Sequence, residues 1–355
     1  MFPKAELHLH LDGSLRPQTA LELARERGLD QGMDLATVAD RLRAPDRCLD
    51  QAQLLEAFEL PIALLQDAAA LERVTHELVE DVASDGTRYA EIRWAPTLHL
   101  SRGLTLRGSI EAVLSGARSG MAARPGCHVR FIAVAMRSHP PATSVLVAEE
   151  AARYIDRGLT GFDLAGPEAA FPDPLPHRSA FEVARAAGLG ITIHAGEWGG
   201  AGQVWRALEL EPAHIAHGAS AAEDPALVEE LIARGVTLDL CPTSNVQAAV
   251  VPRLADHPLP LLLRAGVPVT LSTDDRTVSG LTLTTEWQRA RDVLGLTIPE
   301  LWRMNIHSLR VAFLQHDEPV RAALLRDFEG FAATEPALTA TAPTDTAPSK
   351  TAPSS

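Results

Sequence analysis

Cysteine is scarce in this chain: three in 355 residues, Cys48, Cys127 and Cys241, scattered and odd in number. They suggest neither a disulfide framework nor a CxxC zinc ribbon, and each reads as a small buried apolar residue of a reducing compartment. Long apolar runs are lacking too. None approaches the roughly 20 residues that cross a bilayer. The first strand-like run starts almost at the N-terminus, which leaves no room for a secretory leader. With a mean hydropathy of +0.01, the expectation is a soluble, cytoplasmic protein without a membrane partner. Positive charge is in deficit, 32 Lys and Arg against 46 Asp and Glu, for a net charge of −14. Such a surface repels polyanions and argues against nucleic acid as a partner, but it does not disfavour a neutral small molecule. Glycine-rich phosphate loops, a Walker lysine and a dinucleotide fingerprint are all absent.

Apolar residues make up 46% of the chain, enough for a sizeable core. They fall into eight short strand-like runs: Ala5–His10, Tyr89–Trp94, Val129–Met136, Gly161–Gly166, Gly190–Gly196, His214–Gly218, Thr237–Pro242 and Val267–Asp275. Helical patterns separate them, among them 71–83, 109–123, 144–155, 179–187 and 224–234. Strands alternating with helices predict βα units and a parallel sheet, and eight units close an α/β barrel of the (β/α)8 TIM type. The first two strands are too far apart for one helix. Residues 17–27, 34–42, 50–65 and 71–83 read as helices inserted after strand 1, lying over the mouth either as a lid or as decoration. Leu54, Leu55, Phe58, Ile62 and Leu65 would form an apolar face there. One domain is expected over residues 1–331. From 332 to 355 the chain becomes rich in Ala, Thr, Pro and Ser, a composition that predicts a disordered tail.

Chemistry-bearing residues recur where these strands end. His8 and His10 alternate along strand 1 and so share a face. His194 and Asp274 occupy equivalent ends elsewhere. Three imidazoles and one carboxylate suit a single Zn²⁺ ion, leaving a position for water. Activated water at a metal needs groups to move protons, and Glu197 and His217 stand at neighbouring strand ends. Asp275 follows Asp274, so a regular strand would turn the two carboxylates to opposite faces; Asp275 is the further candidate for orienting the water. An Asp pair alone is commonly a turn or cap, but this one follows an apolar strand.

In order, these stretches resemble the adenosine deaminase family. Pro3-Lys4-Ala5-Glu6-Leu7-His8-Leu9-His10-Leu11-Asp12-Gly13-Ser14 is similar to its opening motif, Gly161-Phe162-Asp163-Leu164-Ala165-Gly166-Pro167-Glu168 to that of its fourth strand, and His194-Ala195-Gly196-Glu197 to its fifth. Ala216-His217-Gly218, Cys241-Pro242-Thr243-Ser244-Asn245 and Ser272-Thr273-Asp274-Asp275 resemble the sixth, seventh and eighth, and 305–313 its closing helix. Ala216, Ser272 and Arg276 stand where the family usually has Gly, Asn and Pro. The resemblance implies a mononuclear zinc barrel that removes the 6-amino group of a purine. His8, His10, His194 and Asp274 would hold the metal. Glu197 would share a proton with purine N1, His217 would assist deprotonation of the water, and Asp275 would orient it and contact N7. His10 would also face the substrate, the Gly166 N–H would bind N3, and Asp12 would hold a ribose 5′-hydroxyl.

Asp12 favours a purine nucleoside, adenosine or 2′-deoxyadenosine, since adenine-specific relatives tend to carry Glu there. The alternatives are free adenine, or a 5′-modified adenosine such as aminodeoxyfutalosine, whose carboxylate Arg276 could pair; Arg276 could equally hold its own loop. A phosphoester or lactone hydrolase on this barrel would call for a strand-end lysine, and none is present. A non-catalytic binding protein would not need Glu197, His217 and Asp275 together. The remaining histidines, His214 and His257 among them, read as packed or surface residues. Trp198 reads as a pocket wall or as packing, and oligomeric state is not legible.

Overall fold

The computed structural model describes residues 2–338. Eight parallel strands follow one another around a barrel in chain order: β1 (Lys4–His10), β2 (Thr87–Trp94), β3 (His128–Met136), β4 (Leu159–Ala165), β5 (Gly190–Ala195), β6 (His214–His217), β7 (Thr237–Leu240) and β8 (Val269–Leu271). Each sits where the apolar runs predict it. The last is shorter than expected, and three residues beyond its end the backbone turns left-handed at Asp274, φ 64°. The seam between β8 and β1 is joined by a parallel bridge, Leu9 to Asp274, in which the His10 N–H donates to the Asp274 carbonyl at 2.7 Å and the Asp274 N–H to the His8 carbonyl at 3.1 Å. Ser272 adds to the seam, its Oγ accepting from the N–H of His8 at 3.1 Å.

Four helices intervene between β1 and β2: α1 (Pro17–Glu26), α2 (Leu35–Arg41), α3 (Gln51–Leu64) and α4 (Ala68–Ser84). Asp34, Asp50 and Asp67 start the last three, each side chain accepting from the backbone N–H three residues on. The insertion contributes directly to the mouth: Leu54, Leu55, Phe58 and Ile62 of α3 line the pocket, whereas Leu65 packs into the core.

The helix Ile298–Val311 closes the fold on its N-terminus. Asn305 accepts from the Ala5 N–H at 2.9 Å and donates to the Pro3 carbonyl at 2.8 Å. Ordered structure passes the compositional break at residue 331: the last long helix runs Glu318–Thr334, and Leu338 is buried. Phe328 and neighbours on its apolar face pack against Trp302, which draws the segment onto the domain. The predicted tail beyond residue 338 lies outside the described residues. Among those described, no helix is long and apolar enough to cross a membrane, and all three cysteines are free and buried.

Phe313 is packed against β4 and β5. A Cβ on Gly190 would lie 2.2 Å from its ring, and one on Gly161 2.8 Å from it. Overpacking a core typically costs about 1–3 kcal/mol, so Gly190→Ala is expected to lower Tm with little change in the far-UV spectrum. An unchanged Tm would show that the ring moves aside freely.

Candidate active site

The C-terminal ends of the strands and the inner face of α3 line a pocket of about 240 Å³. His10 lines it from β1, and His8, two residues earlier on the same face of the strand, is fully buried beside it. Nε2 of His10 lies 3.3 Å from that of His8, 3.2 Å from that of His194 and 3.3 Å from Asp274 Oδ1, and His8 Nε2 lies 2.9 Å from the same oxygen. The four sequence-predicted donors therefore meet at one point. His217 competes for a place there: His8, His194, His217 and Asp274 offer atoms all within 4.8 Å of one another.

This donor set fits a metal. Burial pushes His8 well below the ordinary imidazole range and His10 down to about 3. Neutral rings gathered around a carboxylate offer lone pairs to a common centre, which a divalent transition metal satisfies. Asp163 Oδ2 lies 2.9 Å from His194 Nδ1, and this fixes the opposite nitrogen as the one presented to the pocket. Asp163 is itself held by Arg93 at 2.9 Å, and both are fully buried. Burial acts to raise the Asp163 carboxyl, but His194 and Arg93 hold it far below the usual range. Ser244 donates to Asp274 Oδ2 at 2.7 Å, and Glu6 accepts from the Thr273 N–H at 2.8 Å, so Asp274 is steadied from both sides.

Asp274 and Asp275, just beyond the end of β8, both face the pocket. A regular strand would have turned Asp275 away; the left-handed conformation at Asp274 brings consecutive carboxylates to one side. That conformation is unfavourable for a non-glycine residue and clusters at functional sites. His217 shares it, with φ 70°. Gly13 is required beside them, because a Cβ there would lie 1.7 Å from Asp275 Oδ1.

Glu197 follows Gly196, whose φ is 74°. Glu168 accepts from the N–H groups on either side of it, Gly196 at 2.8 Å and Trp198 at 2.7 Å, and so fixes the turn that presents Glu197. Burial, reinforced by Asp274, pushes the Glu197 carboxyl up to about 8. Burial and Asp274 likewise raise Asp275 well above the carboxylate range, and burial brings Asp12 to about 6. One oxygen each of Asp12 and Asp275 is buried without a partner in the protein. Gly166, φ 104°, lines the opposite wall.

Arg276 takes no part in this pocket. It is 8% exposed, with Nη1 3.5 Å from Asp85 and 3.9 Å from Glu6, and it holds its own loop. Trp198 packs with Cys48, Leu54 and Phe58. His214 pairs with Asp239 at 3.1 Å deep in the barrel. Sequence reasoning gave no roles to Arg93, Asp163, Glu168 or Asn245. A charge in the middle of an apolar barrel strand, as at Arg93 and Asp163, was the available signal.

The adenosine deaminase family matches residues 3–328. An adenosine deaminase of Mycobacteroides abscessus is 40% identical over 92% of this chain and 93% of its own length. Among solved structures, an adenine deaminase from Arthrobacter aurescens superposes with a TM-score of 0.85 at 29% identity, covering 94% of this chain and all of that one. An N6-mAMP deaminase from Arabidopsis gives 0.83 at 28% identity, covering 93% and 98%.

Elemental analysis of protein purified without chelator should find about one equivalent of a divalent transition metal per chain, and Asp274→Ala should lose it. Fully active protein containing none would contradict the assignment of these donors.

Proposed function

The chain belongs to the adenosine deaminase family, purine-deaminating hydrolases, and we propose that it converts adenosine and 2′-deoxyadenosine to the inosine nucleosides and ammonia with one bound Zn²⁺. Zinc held by His8, His10, His194 and Asp274 supplies Lewis-acid activation of the attacking water. The protein's own residues do the rest. Glu197, with its carboxyl raised to about 8, holds a proton at neutral pH and delivers it to purine N1, which makes C6 electrophilic. Asp275 orients the attacking water and contacts N7. His217, with Nε2 3.7 Å from Glu197 Oε1 and 3.8 Å from Asp274 Oδ2, assists loss of the water's proton. The Gly166 N–H receives N3, and the unpartnered oxygen of Asp12 accepts the ribose 5′-hydroxyl.

The observation that carries the substrate choice is the charge of the pocket wall. Asp12, Glu197, Asp274 and Asp275 line it, with no Arg or Lys. A 5′-phosphate or 5′-carboxylate would enter without a cationic partner, and burying an unpaired charge is strongly unfavourable. With Arg276 engaged by Asp85 and Glu6, a carboxylated substrate such as aminodeoxyfutalosine loses its only suggested anchor. Free adenine would leave Asp12 and the apolar wall of Leu54, Phe58 and Ile62 uncovered. The three buried free thiols accord with a cytoplasmic enzyme.

A rate panel decides the substrate. Adenosine and 2′-deoxyadenosine should exceed AMP, N6-methyl-AMP and a 5′-carboxylated adenosine in kcat/KM by roughly a hundredfold or more, the scale set by an unpaired buried charge, and should also exceed adenine. A carboxylated or phosphorylated compound that matches adenosine would overturn the choice. Glu197→Gln should retain the metal while kcat falls by about 10²–10⁴, the usual loss on removing a general acid–base. A near-normal rate would reduce Glu197 to a structural residue.

A further inference from the structure

A chain of buried polar groups leads away from His217 to a region with no contact with the pocket. Asn245, on the short helix Pro242–Gln247 after β7, has Nδ2 3.2 Å from His217 Nδ1. Its Oδ1 lies 3.0 Å from Nε2 of His257. The other nitrogen of His257, Nδ1, accepts from the backbone N–H of Leu259 at 3.1 Å. Asn245 and His257 are 0% and 3% exposed, and Leu259 is buried as well. None of the three lines the pocket.

The direction of every hydrogen bond in this chain follows from its far end. A backbone N–H can only donate, so Nδ1 of His257 is an acceptor and carries no proton. Burial pushes the His257 imidazole down to about 3, which keeps the ring neutral. A neutral ring without a proton on Nδ1 carries it on Nε2, where it donates to Asn245 Oδ1. The amide of Asn245 is thereby oriented, and its Nδ2–H points at Nδ1 of His217. That nitrogen must accept. His217 is then left with its proton on Nε2, the atom that faces Glu197 and Asp274.

We propose that Asn245 and His257 are positioning residues that hold His217 as the Nε2–H tautomer, so that it presents a proton rather than a lone pair to the reacting groups. This rests on the deaminase reading of the pocket and deepens it in two ways. An imidazole with its proton on Nε2 cannot bind a metal through that atom, so the third imidazole place falls to His10, which resolves the competition between the two rings. His217 assists the attacking water by donating to its oxygen as negative charge develops there; the water's own proton passes not to His217 but to the Glu197 carboxylate left once that residue has protonated N1.

The test pairs spectroscopy with one near-isosteric variant. In metal-loaded protein carrying ¹⁵N-histidine, the His217 resonances should show a protonated Nε2 and a bare Nδ1. Asn245→Asp keeps an acceptor for His257 but replaces the donor to His217 with a carboxylate, which draws the His217 proton to Nδ1. This variant should retain its metal and a KM close to that of the parent, show the reversed nitrogen pattern, and lose about a hundredfold or more in kcat, the scale of a mis-set acid–base group. A parent protein with the proton on Nδ1 of His217 overturns the proposal, whether or not the variant folds. So does an Asn245→Asp protein with reversed tautomer and undiminished kcat. If the parent deaminates no purine at all, the functional reading fails, while the nitrogen shifts still decide the tautomer.

Discussion

Asp274 exchanges two backbone hydrogen bonds with β1, giving one to His8 and taking one from His10. These bonds join the first and last strands of the barrel, and the residues they join are three of the four proposed metal ligands. Barrel closure and assembly of the site are therefore the same event. A β8 displaced by one residue would leave the carboxylate on the wrong side of the seam, because side chains alternate along a strand. Ser272, Thr273 and Glu6 act on the same seam: Ser272 accepts from β1, and Glu6 reaches back to the N–H of Thr273. The strained conformation of Asp274 is tolerated because the backbone on both sides of it is already committed.

Around that seam the barrel interior is charged rather than oily. Arg93 lies between Asp163 and Asp239, all three at 0–1% exposure. Buried charges of this kind contribute little net stability, but removing one partner is strongly unfavourable. Their use here is orientation. Arg93 fixes Asp163, and Asp163 fixes His194; Glu168 fixes the turn carrying Glu197. His194, Glu197 and Asp274 are each oriented by a group outside the pocket lining: Asp163, Glu168 and Ser244. Burial and the neighbouring Asp274 raise the Glu197 carboxyl, which suits a group that must hold a proton at neutral pH.

The eight strands were legible because each is a short apolar run bounded by Gly, Pro or charge, and the convergence of His8, His10, His194 and Asp274 because they fall at or just beyond the ends of those runs. Alternation placed His8 and His10 on one face correctly. It failed at Asp275, where a left-handed residue interrupts the strand; nothing in Thr273-Asp274-Asp275 signals that turn locally. The composition break at residue 331 set the domain boundary too early, since Leu338 packs back against the body. Arg276 and His257 could not be read from sequence for a common reason. Their partners lie 12 to 270 residues away, Asn245 for His257 and Asp85 and Glu6 for Arg276, and only the closed barrel brings them together.

Which atoms gather at the seam decides the chemistry of the pocket. Anomalous diffraction from crystals of the protein, recorded at the zinc edge, locates the ion directly. We expect a single peak at about 2.0–2.2 Å from Nε2 of His8, His10 and His194 and from Asp274 Oδ1, the usual range for nitrogen and oxygen ligands of zinc, with His217 outside bonding distance. A peak bonded to His217 in place of His10, or none in the pocket of active protein, would contradict it.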